Sequence, residues 1–159
     1  SKGDYIFLAD QDDVWHRDKI KVMLQSLERY DLVVSDCLLA DHSLSIQQKS
    51  FFAFNNSGKG LIRNIFKNSY IGCCMAFNRR LLNHALPFPK DIPMHDVWIG
   101  LVGELYYKVY FTPEILVYHR RHSGNASTTG NKSRLSVLRK FGNRYKMIKN
   151  LLLHKSYAG

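Results

Sequence analysis

The sequence predicts an α/β fold, a sheet covered by helices. Two observations predict it. Short apolar runs rich in aromatic and β-branched residues alternate with stretches of helical period, and the first set reads strand, helix, strand, the unit that normally gives adjacent parallel strands. A third sets the scale: 159 residues, 45% hydrophobic and 13% aromatic, fit one domain with a buried core. That composition excludes a disordered tail, and no apolar run approaches the ~20 residues of a membrane-spanning helix.

Residues 4–9 are a strongly apolar run that stops at Asp10-Gln11-Asp12-Asp13, which suits a strand buried on both faces with acids at its carboxyl end. Ile20, Met23, Leu24, Leu27 and Tyr30 recur at helical spacing and predict about three turns. Residues 31–36 repeat the strand pattern. Residues 37–56 are polar and without sustained period, an irregular excursion. Leu61, Ile62, Ile65 and Phe66 suggest a short helix, residues 71–77 a third strand, and residues 79–85 a brief helix that Pro87, Pro89 and Pro93 cannot continue. The proline-spaced loop delivers His95 and Asp96, and the apolar residues from Val97 to Leu105 place Asp96 at or near a helix N-terminus. Residues 107–111 and 115–118 read as two further strands around Thr112-Pro113. Leu135, Leu138, Phe141, Tyr145, Ile148 and Leu152 form an apolar stripe on a basic C-terminal helix.

Net charge is +10, yet all 13 acids precede Lys132. Residues 132–159 hold eight Lys or Arg and no acid, so residues 1–131 carry 15 − 13 = +2 and the tail the remaining +8. A boundary therefore falls there: a domain at 1–131 and a basic amphipathic helix at 132–159. Two readings of the tail stay open, an anionic membrane surface as its partner, or docking on the domain by its apolar stripe with its lysines in water. Nucleic acid is not expected, because aromatics are not interleaved with the basic residues in a recognisable module. Residues 1–9 lack the basic region, long apolar core and cleavage site of an export signal, and three cysteines suit reduced thiols better than a zinc site. The expected location is cytoplasmic, peripheral on the inner face of the cell membrane if the tail attaches there.

Three carboxylates within four positions repel one another, and a divalent cation is the natural compensation. Mg²⁺ or Mn²⁺ favours oxygen ligands and is commonly shared between one or two carboxylates and substrate phosphates. A bland role, capping the following helix, competes with this for an isolated cluster. Four ordered segments weigh against it: Gly3 to Trp15, with the strand ending in Asp10-Gln11-Asp12-Asp13; Gly72 to Leu82 followed by Ala85-Leu86-Pro87-Phe88-Pro89; His95-Asp96-Val97-Trp98; and Tyr118 to Ser127 with Arg121-His122 and Asn125. Together they resemble the family 2 glycosyltransferases, inverting enzymes of the GT-A fold, with a flavour of the bacterial rhamnosyltransferases that build surface polysaccharide.

The resemblance implies a partial GT-A fold, a mixed sheet flanked by helices, corresponding to the C-terminal part of a catalytic domain. It implies a nucleotide-diphosphate sugar donor, a saccharide or lipid-linked saccharide acceptor, and Mn²⁺ or Mg²⁺. Asp10 and Asp12 fill the DxD metal positions, with His122 completing the shell and His119 its rival. Asp13 and Arg121 attend the donor and its phosphates. Asp96 is the general base that takes the acceptor proton; the family often has a second acid where this chain has His95. Trp15, His95 and Trp98 are the candidate sugar or acceptor contacts, against the alternative of packing for both tryptophans. Family members carry a further half-domain before this point, so the chain alone is expected to transfer little. A competing resemblance is to haloacid dehalogenase-type phosphatases, with Asp10 as nucleophile in Asp10-Gln11-Asp12-Asp13-Val14 and Ser35 ending the next strand; a non-catalytic membrane-binding module is the other alternative.

Overall fold

The computed structural model describes residues 2–41, 43, 45–120 and 137–157. The strands are β1 (Tyr5–Phe7), β2 (Val14–Trp15), β3 (Leu32–Ala40), β4 (Ile46–Gln48), β5 (Met75–Asn78) and β6 (Val109–Arg120). The helices are α1 (Lys19–Leu27), α2 (Phe51–Asn55), α3 (Leu61–Phe66), α4 (Arg79–Ala85), α5 (His95–Tyr106) and α6 (Val137–Tyr157), with a 3-10 turn at Gly72–Cys74. The strands form one mixed sheet in the order β1-β5-β3-β6-β2, with β4 paired to the far end of β3. This is the helix-flanked mixed sheet expected.

The opening unit departs from expectation in one respect. β1 and β3 are not neighbours, because β5 lies between them and runs antiparallel to both. Met75 to Asn78 are apolar enough to be buried on both sides, and that central slot is where such a strand loses least by desolvation. β3 instead runs parallel to β6 along its whole length. It also continues through Cys37 to Ala40, residues predicted to be irregular. Within the same stretch Ser50 caps α2, its side chain accepting from the Ala53 amide.

β6 is one strand where two were predicted. Thr112 pairs with Ser35 and Ile115 with Asp36, so Pro113 and Glu114 are left out of the ladder. A proline without an amide is tolerated at such an irregularity, and the strand resumes beyond it. Opposite, Asp36 is buried but fully engaged, accepting from the Cys37 amide at 2.8 Å, the Ser50 hydroxyl at 2.5 Å and the Phe52 amide at 2.9 Å. It thereby ties the bulge to α2.

The two sheet faces carry two cores. Alternation along β3 and β5 sends Leu32, Val34, Met75 and Phe77 to the larger one, beneath α4 and α5, and Val33 and Ala76 to the smaller one against α1. On α1 the buried face is Lys19, Met23 and Leu27, whereas Ile20, which the apolar pattern placed inward, is half exposed. α5 is almost entirely buried from Trp98 to Gly103. Its close approach rests on Gly100: a Cβ there would lie 2.4 Å from Tyr70 Cδ2, and Tyr70 is itself fixed by donating to Glu104 Oε1 at 2.9 Å.

Gly100→Ala therefore overpacks a rigid ring and is expected to cost about 1–3 kcal/mol in urea unfolding. Gly142→Ala on α6, where an added Cβ meets nothing within 4 Å, should instead gain about 0.5–1 kcal/mol through helix propensity. Similar shifts for the two would contradict this account of α5.

Candidate active site

The acidic loop after β1 is fastened to β6 through Asp13. Its side chain is wholly buried, with His119 Nδ1 at 3.0 and 3.1 Å from the two carboxylate oxygens and the Arg120 amide donating to it at 2.9 Å. Burial alone would discharge both partners. Their mutual hydrogen bond outweighs it, so the imidazole's proton affinity is pushed up to about 10, aided by Cys73, while Asp13 is held below the usual carboxylate range by His119, Cys73 and the Arg120 amide. The result is a buried ion pair that joins the end of β1 to the end of β6.

Asp10 projects from the same loop and is exposed. Its proton affinity is raised by partial burial, then by the Asp13 and Asp12 carboxylates, against the pull of His119 and Lys19. One potential ligand atom from each of Asp10, Asp13, Cys73 and His119 lies within 4.8 Å of the others. The Cys73 thiol is no hard-metal ligand: its hydrogen bond with Cys74 and its burial push its pKa far up, so it keeps its proton. The crowded carboxylates fit a divalent cation with oxygen preference.

Asp96 occupies the first turn of α5. Its Oδ2 accepts from the Gly72 amide at 3.1 Å and its Oδ1 from the Val97 amide at 2.7 Å. Burial raises its proton affinity, the two amides lower it, and the charge of Asp10 raises it further. Gly72 lies between the two acids' elements: a Cβ there would sit 3.7 Å from Asp96 Oδ2 and 3.8 Å from Leu8 Cδ1, two residues before Asp10. The 3-10 turn leading into β5 thus carries an amide to one carboxylate and, through Cys73, a thiol to the ion pair.

The remaining sequence-named residues fall into three groups. Asp12 is half-buried on the loop beside Asp10 and Asp13, though outside the converging set of four. Trp15 is half-buried with the Lys19 ammonium 3.6 Å from its ring centroid, and His95 is exposed with its ring 4.7 Å from that of Phe88. Trp98 lies in the core, fully buried, its indole N–H donating to the Ala85 carbonyl at 2.9 Å, so packing is its role and no ring face is left for a sugar. Arg121 and His122 lie outside the described residues.

Two participants were not singled out from sequence as part of the site. Lys19 is fully buried and donates to the Cys73 carbonyl at 2.5 Å, pinning the turn that serves Asp96; burial depresses its pKa, against the pull of the Asp13 and Asp10 carboxylates. The signal was available, since Lys19 stands four and eight residues before Met23 and Leu27 on the buried face. Cys73 was read only as a thiol. The phosphatase alternative gains no support, for Ser35 is buried with its hydroxyl 3.5 Å from the Cys74 carbonyl.

The ion pair gives a pH signature. His119 is raised above its unfolded value of roughly 6.5, so its stabilisation is complete below that pH and is lost as pH rises through about 10. Asp13 is depressed, so its part is present above pH ~4 and lost as pH falls. Asp13→Asn should cost about 3–5 kcal/mol near pH 6 and flatten the alkaline fall in stability. The His119 ring resonances, unresponsive between pH 6 and 8 in the parent, should then titrate at or below the ordinary histidine range in NMR spectra. An unchanged titration would contradict the pairing.

The sequence model of glycosyl transferase family 2 matches residues 1–86, which contain the acidic loop, Lys19 and the Gly72–Cys74 turn, while Asp96 and His119 lie beyond the match. No curated protein matches the chain. The mixed sheet flanked by helices accords with a partial GT-A fold, and since the match covers 86 of 159 residues, more than half, the chain belongs to glycosyl transferase family 2.

Proposed function

We propose that this chain carries the metal and base half of an inverting glycosyltransferase, which moves a sugar from a nucleotide-diphosphate donor to an acceptor hydroxyl in the synthesis of bacterial surface polysaccharide. The observation that supports it most is that Asp96 and Leu8, two residues before Asp10, lie on either side of Gly72, near enough for Asp10's charge to act on Asp96. Inverting transfer requires two separate carboxylate functions, one beside the leaving diphosphate and one beside the attacking hydroxyl. Sequence distance alone, 86 residues between Asp10 and Asp96 (96 − 10), gave no assurance that they share a site.

Asp96 is the base in this reading. Its raised proton affinity suits a carboxylate that must accept a proton from a hydroxyl near neutral pH, and the Gly72 and Val97 amides fix its direction. Asp10, exposed, and Asp12, half-buried beside it, are the ligands for Mn²⁺ or Mg²⁺, with His122 as the third; the cation, when bound, stabilises the charge that develops on the departing nucleoside diphosphate. Asp13 is already spoken for by His119 and the Arg120 amide, so its part is to hold the loop at the proper height beside the donor. Arg121 pairs with the diphosphate, His95 meets the acceptor, and Trp15, stiffened by Lys19, offers a ring edge to the donor sugar. A rhamnosyl donor is the first to try. Among the described residues no helix is long and apolar enough to cross a membrane; peripheral attachment of residues 132–159 to the inner face of the cell membrane completes the reading for a lipid-linked acceptor, with 1–131 as the catalytic part.

The test is a donor screen with the complete protein, measuring release of nucleoside diphosphate from dTDP-rhamnose, UDP-hexoses and GDP-mannose with and without Mn²⁺. Asp96→Asn should lower turnover by roughly 10²–10⁴-fold with donor affinity unchanged. Asp12→Ala should remove the metal-dependent part of donor binding. Loss of donor binding in the Asp96 variant, or turnover indifferent to chelator, would count against these assignments.

A further inference from the structure

We propose that Ile62 and Phe66 of α3 together with Phe141, Tyr145, Ile148 and Leu152 of α6 form one docking face for an anionic bilayer. All six side chains are exposed, from 39% for Ile148 to 74% for Ile62. Arg144 joins the two helices: its guanidinium lies 5.1 Å from the Phe66 ring and 5.8 Å from the Phe141 ring, and it donates to the Phe66 carbonyl at 3.0 Å. α6 is held to the domain by another face, where Met147 and Leu151 enter the main core and Asn150 donates to Asp91 at 2.8 Å. The stripe of Phe141, Tyr145, Ile148 and Leu152 lies roughly a third of a turn from that face. It is the stripe that the sequence pattern offered for docking on the domain, and it points outward. Isolated exposed apolar residues are ordinary; six on adjoining helices are the mark of an interaction surface.

Charge selects the occupant. Arg63, Lys146 and Lys149 are exposed on the same two helices, as is Lys67 directly after α3, and residues 132–159 contain no acid. The acid seen bonded to α6 among the described residues, Asp91, is met by Asn150 on the docked side. Two copies facing each other through this surface would oppose like charges, whereas an anionic bilayer supplies the missing sign and an apolar layer of matching depth. Aromatic rings and cations bordering an aliphatic stripe are the composition of a helix lying in the headgroup plane. The inference rests on the peripheral attachment proposed above and narrows it to a face built from two helices far apart in sequence.

The experiment is flotation of the full chain with vesicles of phosphatidylcholine alone and of phosphatidylcholine mixed with phosphatidylglycerol, over a range of salt. Binding is expected to the mixed vesicles only, weakening as salt rises. The triple variant Phe141→Ser, Tyr145→Ser, Leu152→Ser should bind about tenfold more weakly or worse, with an unchanged thermal midpoint. Ile62→Ser with Phe66→Ser should weaken it as well, and Lys146→Gln with Lys149→Gln should flatten the salt response. Full binding by the serine variants, with loss confined to the lysine variant, overturns the apolar face and leaves charge-driven attachment standing. Binding to neither vesicle overturns both. A dimer that the triple variant dissolves, without vesicle binding, assigns the stripe to a second copy instead.

Discussion

The site depends on a buried carboxylate clasped by the far end of the sheet. Asp13 is the point at which the loop after β1 meets β6, two strands separated by β5 and β3 in the sheet order. Neither an isolated aspartate nor an isolated histidine would remain charged in that environment; together they do, because each supplies what burial removes. The clasp fixes where Asp10 and Asp12 project, and so where negative charge is concentrated. Lys19 does the same for the other half, holding the Cys73 carbonyl so that the preceding amide of Gly72 faces Asp96. Two opposite charges buried beneath the site thus orient its three other acids, Asp10, Asp12 and Asp96.

Much of this was legible in the sequence. The acids at the end of an apolar run, the aspartate opening an amphipathic helix and the order of the four segments located the elements of the site and its family. What the pattern could not convey was partnership across the sheet. His119 and His122 sit three residues apart on a basic segment, and nothing in their spacing says which of them meets a carboxylate; that is set by the register of β6 against β3, which places His119 opposite Leu39. Likewise the spacing of Lys19 from Met23 and Leu27 puts it on the buried face of α1, but it does not say that the Cys73 carbonyl is its partner.

The fold's misread elements share one cause. Period and propensity describe a strand or helix by itself, whereas β5 slides between β1 and β3, and β6 runs through Pro113, because of what lies alongside. The C-terminal helix shows the same effect in reverse. Its most regular apolar stripe was the natural candidate for the inward face, yet two residues off that stripe, Met147 and Leu151, make the attachment. Hydrophobic pattern ranks faces by content; packing chooses between them by fit.

The irregularity in β6 has a further effect on the molecule. Between the pairs Thr112 with Ser35 and Val117 with Cys37, β6 advances five residues while β3 advances two. The difference of three is odd, so the two strands exchange phase there: even-numbered Leu32 and Val34, then odd-numbered Cys37 and Leu39, line the same core. His119 follows Val117 on that side and therefore looks toward Cys73 and Asp13. Two of those three residues are Pro113 and Glu114 and the third is Leu116, so a pairing that took Leu116 into the ladder would turn the imidazole to the opposite side of the sheet. Parity summed over these two adjacent register shifts governs whether the carboxylate clasp can close.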